Sequence, residues 1–202
     1  MQQSIPYKPT AADFMEMWRH LNLMAHESGI VKSALERHDF DNSDWLHYYL
    51  FRNNFQVVGQ SLLEYCLREM LDIAATDQFS DFDLTGYALE PEEACHRGEG
   101  TAVRQALMEE DVFQLLSLYS EAEIKQKLPA FVDAVGSLKV LVIPGVEIQS
   151  AYGMLHQIEQ VLFNCKLDGE YIVLMGRVTP NKEVSWFYRI YSDEGATDMV
   201  AM

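Results

Sequence analysis

The stretch Phe55 to Ala75, FQVVGQSLLEYCLREMLDIAA, constrains the fold more than any other part of the chain. Val58, Gly59, Leu62, Leu63, Cys66, Leu67, Met70, Leu71 and Ala74 recur at three- and four-residue spacings, with Gln60, Glu64, Arg68, Glu69 and Asp72 between them. That is the pattern of a helix with one broad apolar face and a polar back. Such a face must be buried, so the spacing predicts a central helix over 55–75 with the other elements packed around it.

Upstream, Pro6 and Pro9 block a helix before Thr10. Thr10 with Asp13 three residues later is close to a capping-box pattern, and Phe14, Met17, Trp18, Leu21, Met24 or Ala25, and Ser28 mark one face as far as a stop at Gly29. A short helix over Ile30–His38 and another beginning near Asp44, capped by Asp41 or Ser43, complete this part. From Thr76 to Gly100 periodicity fades and Gly86, Pro91, Gly98 and Gly100 punctuate the chain, which predicts an irregular surface segment. Thr101 can cap a helix through Val103, Ala106 and Leu107, Glu109 to Asp111 either continue it or open the next helix, through Val112 to Leu118, and Ser120 with Glu123 caps another that ends at Gly136, with Pro129 placed to kink or shorten it.

The last third has a different pattern. KVLVIP, Lys139 to Pro144, is a β-branched apolar run of buried-strand type, followed by a helix with Ile148, Ala151, Tyr152, Leu155, Ile158 and Leu162 on one face. Glu170–Val178 and Glu183–Tyr191 read as strands joined across Thr179-Pro180-Asn181-Lys182 and paired as a hairpin. Trp186, Tyr188 and Ile190 fall on one face and Phe187 and Tyr191 on the other, and the tail from Asp193 is expected to be loose. The fold class expected is therefore α+β: a mostly helical N-terminal two-thirds packed with a small C-terminal β-α-β-β sheet. The chain divides into a helical region, 1–100, that includes the acidic segment 76–100, and an α+β region, 101–202, or forms one continuous domain.

Charge narrows the function classes. With 15 Lys and Arg against 31 Asp and Glu, the net charge of −16 argues against direct nucleic-acid binding, which needs a basic footprint, and favours a basic protein partner. Cys66, Cys95 and Cys165 form no Cys-x-x-Cys pair, so the expected setting is a reducing cytoplasm. MQQSIPYKPT lacks the apolar run of a signal peptide, and the longest apolar stretches are too short to span a bilayer.

Catalytic and metal-binding patterns are weak. There is no Gly-x-Ser-x-Gly elbow or HExxH, and Gly98-x-Gly100 lacks the following glycine and lysine of a phosphate loop, so no cofactor or metal is expected. His38 to His47, HDFDNSDWLH, is rich in donor groups. A calcium-binding EF-hand loop starting at Asp39, however, would need glycine and glutamate where Asp44 and Leu50 stand. Glu16 and His20 sit four apart on a helix, and Cys95-His96 is the one adjacent thiol and imidazole.

The expected function is a non-enzymatic cytoplasmic interaction protein of the inhibitor, immunity or anti-defence type. Its partner-binding residues are Asp77, Phe79, Asp81, Phe82, Asp83, Tyr87, Glu90, Glu92 and Glu93, with Glu109 to Asp111 as an extension. The alternatives are a secretion-type chaperone or adaptor, and a hydrolase using Cys95 and His96 or the His38 to His47 cluster. A homodimer through the Trp186 to Tyr191 strand is a further option if that strand lies at an edge.

Overall fold

The structure is a computed structural model that describes residues 8–27, 62–76, 82–89, 112–145, 148–178 and 184–202. The described residues form four helices and eight strands: α1 (Ala11–Glu27), α2 (Leu62–Leu71), β1 (Ile73–Thr76), β2 (Leu84–Ala88), β3 (Phe113–Ser117), α3 (Glu121–Asp133), β4 (Leu138–Gly145), α4 (Ile148–Asn164), β5 (Glu170–Val178), β6 (Val184–Ser192), β7 (Gly195–Ala196) and β8 (Val200–Ala201). All eight strands belong to one mixed sheet in the order β1-β2-β3-β4-β5-β6-β7, with β8 also on β6. The β3-β4 and β4-β5 pairs are parallel and the remaining pairs are antiparallel.

This overturns the expectation of a mostly helical N-terminal two-thirds with a small C-terminal sheet, because β1, β2 and β3 all lie in that region. The run Val112 to Leu118 holds strand β3 and not a helix, and every side chain in it is buried. A strand covered on both faces has no polar side, so its apolar run cannot be told from a buried helix by periodicity. The central helix stops at Leu71 because Asp72 takes a left-handed φ of 48°, which aspartate tolerates, and turns the chain into β1. Within 76–100, Leu84–Ala88 is a strand paired on both sides. Residues 28–61 and 90–111, with the helices expected there, lie outside the described residues.

The expected β-α-β-β order at the C-terminal end is present as β4-α4-β5-β6, with the β5-β6 hairpin in register from Tyr171↔Tyr191 to Val178↔Val184. The tail is ordered: β7 and β8 pair with the outer side of β6. The Trp186 to Tyr191 strand is therefore not an edge, which removes the dimer route expected through it.

Helices cover both faces of the sheet. On one face α1 and α2 pack Phe14, Trp18, Leu63 and Leu67 against Phe113, Val140, Ile172 and Trp186. Phe14 stacks on Phe113 at 5.7 Å between ring centroids, and Trp18 meets Trp186 edge-on at 4.9 Å. The reciprocal Thr10–Asp13 capping box starts α1, and Glu170 of β5 accepts from Ala11 N at 2.7 Å, tying that helix end to the sheet. On the opposite face α3 and α4 bury Ile124, Leu128, Phe131, Ile158 and Leu162 against Leu116, Leu141, Ile143 and Val173. Both parallel crossovers, β3-α3-β4 and β4-α4-β5, run over this second face, which gives an α/β/α arrangement.

The predicted cap of α3 is built: Ser120 Oγ accepts from Glu123 N at 3.3 Å and Glu123 accepts from Tyr119 N at 2.7 Å. Replacing Ser120 by alanine should lower stability by about 1 kcal/mol. Urea unfolding checks this, and an unchanged midpoint would show that the cap contributes nothing. Helix α3 continues through Pro129, whose missing amide would have bonded the carbonyl of Lys125, an exposed residue where water can serve that carbonyl. Among the described residues no helix is long and apolar enough to cross a membrane.

Candidate functional site

The register places Gln114, Lys139 and Tyr171 side by side on adjacent strands. They share the face covered by α3 and α4, near the amino-terminal ends of the parallel strands. Among the described residues Lys139 is the one buried charged side chain, with no exposed surface. Its Nζ donates to Phe131 O at 3.0 Å, to Val132 O at 2.9 Å and to Ala134 O, and it lies 3.0 Å from the Tyr171 hydroxyl. The ammonium also sits 5.1 Å from the centroid of the Tyr171 ring. Gln114 Nε2 continues the row by donating to Val135 O at 2.9 Å.

These acceptors are the last carbonyls of α3 and the first of the connection to β4. A helix C-terminus carries partial negative charge and free carbonyls, so a buried cation there meets both the charge and the hydrogen-bonding demand. Burial pushes the Lys139 pKa down from 10.5 to about 8, while Asp168 and Asp133 hold it up against a larger fall. An amine in that range is chemically suited to nucleophilic work. Here its donors are directed at backbone carbonyls and a phenol, which is the geometry of a fastening between helix and sheet. Sequence reasoning missed this role. The signal was a lysine at the same strand parity as Leu141 and Ile143, both of which face the core.

A second polar cluster ties α4 to the sheet margin. Glu159 Oε1 accepts from Arg189 Nη1 at 2.6 Å and from the Tyr191 hydroxyl at 2.8 Å, and Arg189 Nε donates to Thr197 O at 2.6 Å. Burial and the neighbouring Glu159 carboxylate both push the Tyr191 pKa up. The acid that Arg189 pairs with thus comes from α4 and not from a neighbouring strand.

Three of the nine predicted partner-binding residues are described. Phe82 is half-buried and meets Phe131 of α3 edge-on at 5.1 Å, so its ring is part of the packing. Asp83 Oδ2 accepts from Ser117 N at 2.5 Å and joins the start of β2 to the end of β3. Tyr87 is half-buried in β2 opposite Ala74. Asp77, Phe79, Asp81, Glu90, Glu92 and Glu93 lie outside the described residues, as do Glu109 to Asp111, Cys95 and His96, and His38 to His47.

Strand β2 divides the predicted surface. Asp83 precedes it at the carboxyl end of the parallel strands, and Leu89 follows it at the other end. A five-residue strand rises about 17 Å, so Asp83 and Leu89 lie at opposite ends of β2. Glu16 and His20 are both exposed on α1. Among the described residues no group of three or more His, Cys, Asp or Glu side chains is placed to hold a metal ion. No protein-family model, curated protein or solved structure matches the chain.

Proposed function

We propose that this is a non-enzymatic cytoplasmic interaction protein that binds a basic protein partner through its acidic, aromatic-containing surface. The observation that carries the reading is the charge: −16 overall, with Asp77, Asp81, Asp83, Glu90, Glu92, Glu93 and Glu99 against Arg97 alone between Thr76 and Gly100. A field of one sign draws an oppositely charged partner into encounter, and aromatic side chains at the contact supply holding energy. Phe79 and Tyr87 are the aromatic residues of the segment that we assign to that role, and the Phe82 ring packs on Phe131. Asp77 to Asp83 and Glu90 to Glu93 would act as two patches separated by β2.

The test is capture of partners on the immobilised protein, followed by stepwise salt elution and mass spectrometry. A basic protein released at moderate salt is expected, because exposed charges more than a Debye length apart, about 10 Å at 0.1 M, are screened. Association that does not slow as salt rises, or a captured set without a basic protein, would refute the reading.

A further inference from the structure

The turn between α4 and β5 contains the sequence's single Asp-Gly pair, Asp168-Gly169, and the sequence has no Asn-Gly. An aspartate followed by glycine is prone to backbone rearrangement, because glycine has no side chain to hinder its amide nitrogen as that nitrogen approaches the neighbouring carboxyl. A fold suppresses the reaction when it engages the amide or the carboxylate in hydrogen bonds. This fold engages neither. Both residues are exposed, and among the described residues nothing accepts from the Gly169 amide and nothing donates to the Asp168 carboxylate.

The chain on either side of the pair is held. Leu167 is buried beneath the turn, and Gly169, at a φ of 94°, lies against the Ser137 carbonyl. Glu170 N donates to Ser137 O at 2.9 Å, and the Glu170 carboxylate accepts from Ala11 N at 2.7 Å at the start of α1. The two reacting groups are thus neighbours in an exposed turn whose next residue anchors both β5 and α1.

We infer that Asp168-Gly169 is a modification site, at which the folded chain converts aspartate spontaneously to isoaspartate. The Gly169 nitrogen attacks Cγ of the protonated Asp168 carboxyl. A bond forms between that nitrogen and Cγ, and the carboxyl hydroxyl leaves with the amide hydrogen as one water, closing a succinimide ring. Water then adds back. It breaks either the new bond, which restores aspartate, or the original bond from the Gly169 nitrogen to the Asp168 main-chain carbonyl carbon. The second outcome routes the backbone through Cβ and Cγ and leaves the former main-chain carbonyl as a free carboxylate. The reaction needs no reagent other than water, and the mass of the product is unchanged. The extra backbone carbon ahead of Glu170 strains the bonds to Ser137 and Ala11, so the modified chain should be less stable than the original.

The experiment incubates the full chain for weeks at neutral pH and physiological temperature in heavy-oxygen water, and then digests it with trypsin in ordinary water. The peptide Leu167 to Arg177 reports the site. Passage through the ring leaves a heavy oxygen on residue 168, and isoaspartate appears as a second peptide of the same mass that separates chromatographically. The same synthetic peptide, incubated alone, gives the unhindered rate. The folded chain should label and isomerise at Asp168 within about tenfold of that rate. A site reached only by global unfolding would be slower by the folding equilibrium constant, on the order of a thousandfold or more, and a rate that slow would overturn the inference. Asp168→Glu keeps the charge but lengthens the side chain and disfavours ring closure, so it should abolish both signals. An equal-mass second form of this peptide that persists in the variant would also overturn the assignment.

Discussion

Lys139→Met is expected to lower the stability of the folded chain by about 3 kcal/mol at pH 7, because the carbonyls of Phe131, Val132 and Ala134 lose their shared donor inside the core. Methionine fills nearly the same volume, so the loss would report on polar satisfaction and not on a cavity. The pH dependence provides a second signature. The Lys139 pKa falls from its ordinary 10.5 to about 8 on folding, so between those values the unfolded chain binds more protons than the folded one. Stability from this group therefore rises as pH climbs through that window, by about 3 kcal/mol at 1.36 kcal/mol per pKa unit, and the burial cost is fully present below pH 8. Denaturant unfolding of both chains at several pH values isolates the effect, since other groups titrate alike in each. The deficit of the variant should widen as pH rises toward 10. A deficit under about 1 kcal/mol that stays flat across the window would show that the fastening does not contribute in this way.

Gly169→Ala should be comparably costly, at about 3 kcal/mol. Gly169 has a φ of 94°, a conformation costly for any residue with a Cβ, and the added carbon would collide with the backbone carbonyl of Ser137. That carbonyl also accepts from Glu170 N at 2.9 Å, so it cannot withdraw without disturbing the entry to β5 beside β4. For a domain of this size the loss corresponds to a fall in Tm of roughly 6–12 °C. A thermal scan that places the variant within 1 °C of the unsubstituted chain would show that the turn relaxes at little cost. Gly195 offers a control: its φ is 127° but nothing lies within 4 Å of an added Cβ, so Gly195→Ala should cost less than Gly169→Ala.

Much of the fold was legible where local signals were strong and mutually consistent. The capping residues of α1 and α3, the buried strand at Lys139, helix α4, the β5-β6 hairpin and the two faces of β6 all follow from spacing and composition within a dozen residues. The candidate partner surface was read as one irregular acidic segment, and β2 within it was missed. Thr85, Gly86 and Tyr87 form a strand because they have neighbours on both sides, and Gly86 is tolerated because β1 packs close, with Ile73 Cγ2 2.6 Å from where a Cβ would sit. The Phe82 ring, expected as a binding anchor, instead finds Phe131 forty-nine positions along the chain, a contact that no local window can register.

The caps, the amphipathic helices and the C-terminal β-α-β-β order could be read from residues a few positions apart, and the surplus of carboxylates from composition alone. Contacts distant in sequence were needed to show that Phe113–Ser117 is a strand, that the helix containing Leu62 stops at Leu71, that the tail closes the β6 margin, and that Lys139 lies inside the core. The physical reason is common to these cases. A segment buried on both faces loses its polar side, and a buried cation is stable only where distant carbonyls converge on it, so in each case the deciding partner is supplied by a part of the chain remote in sequence.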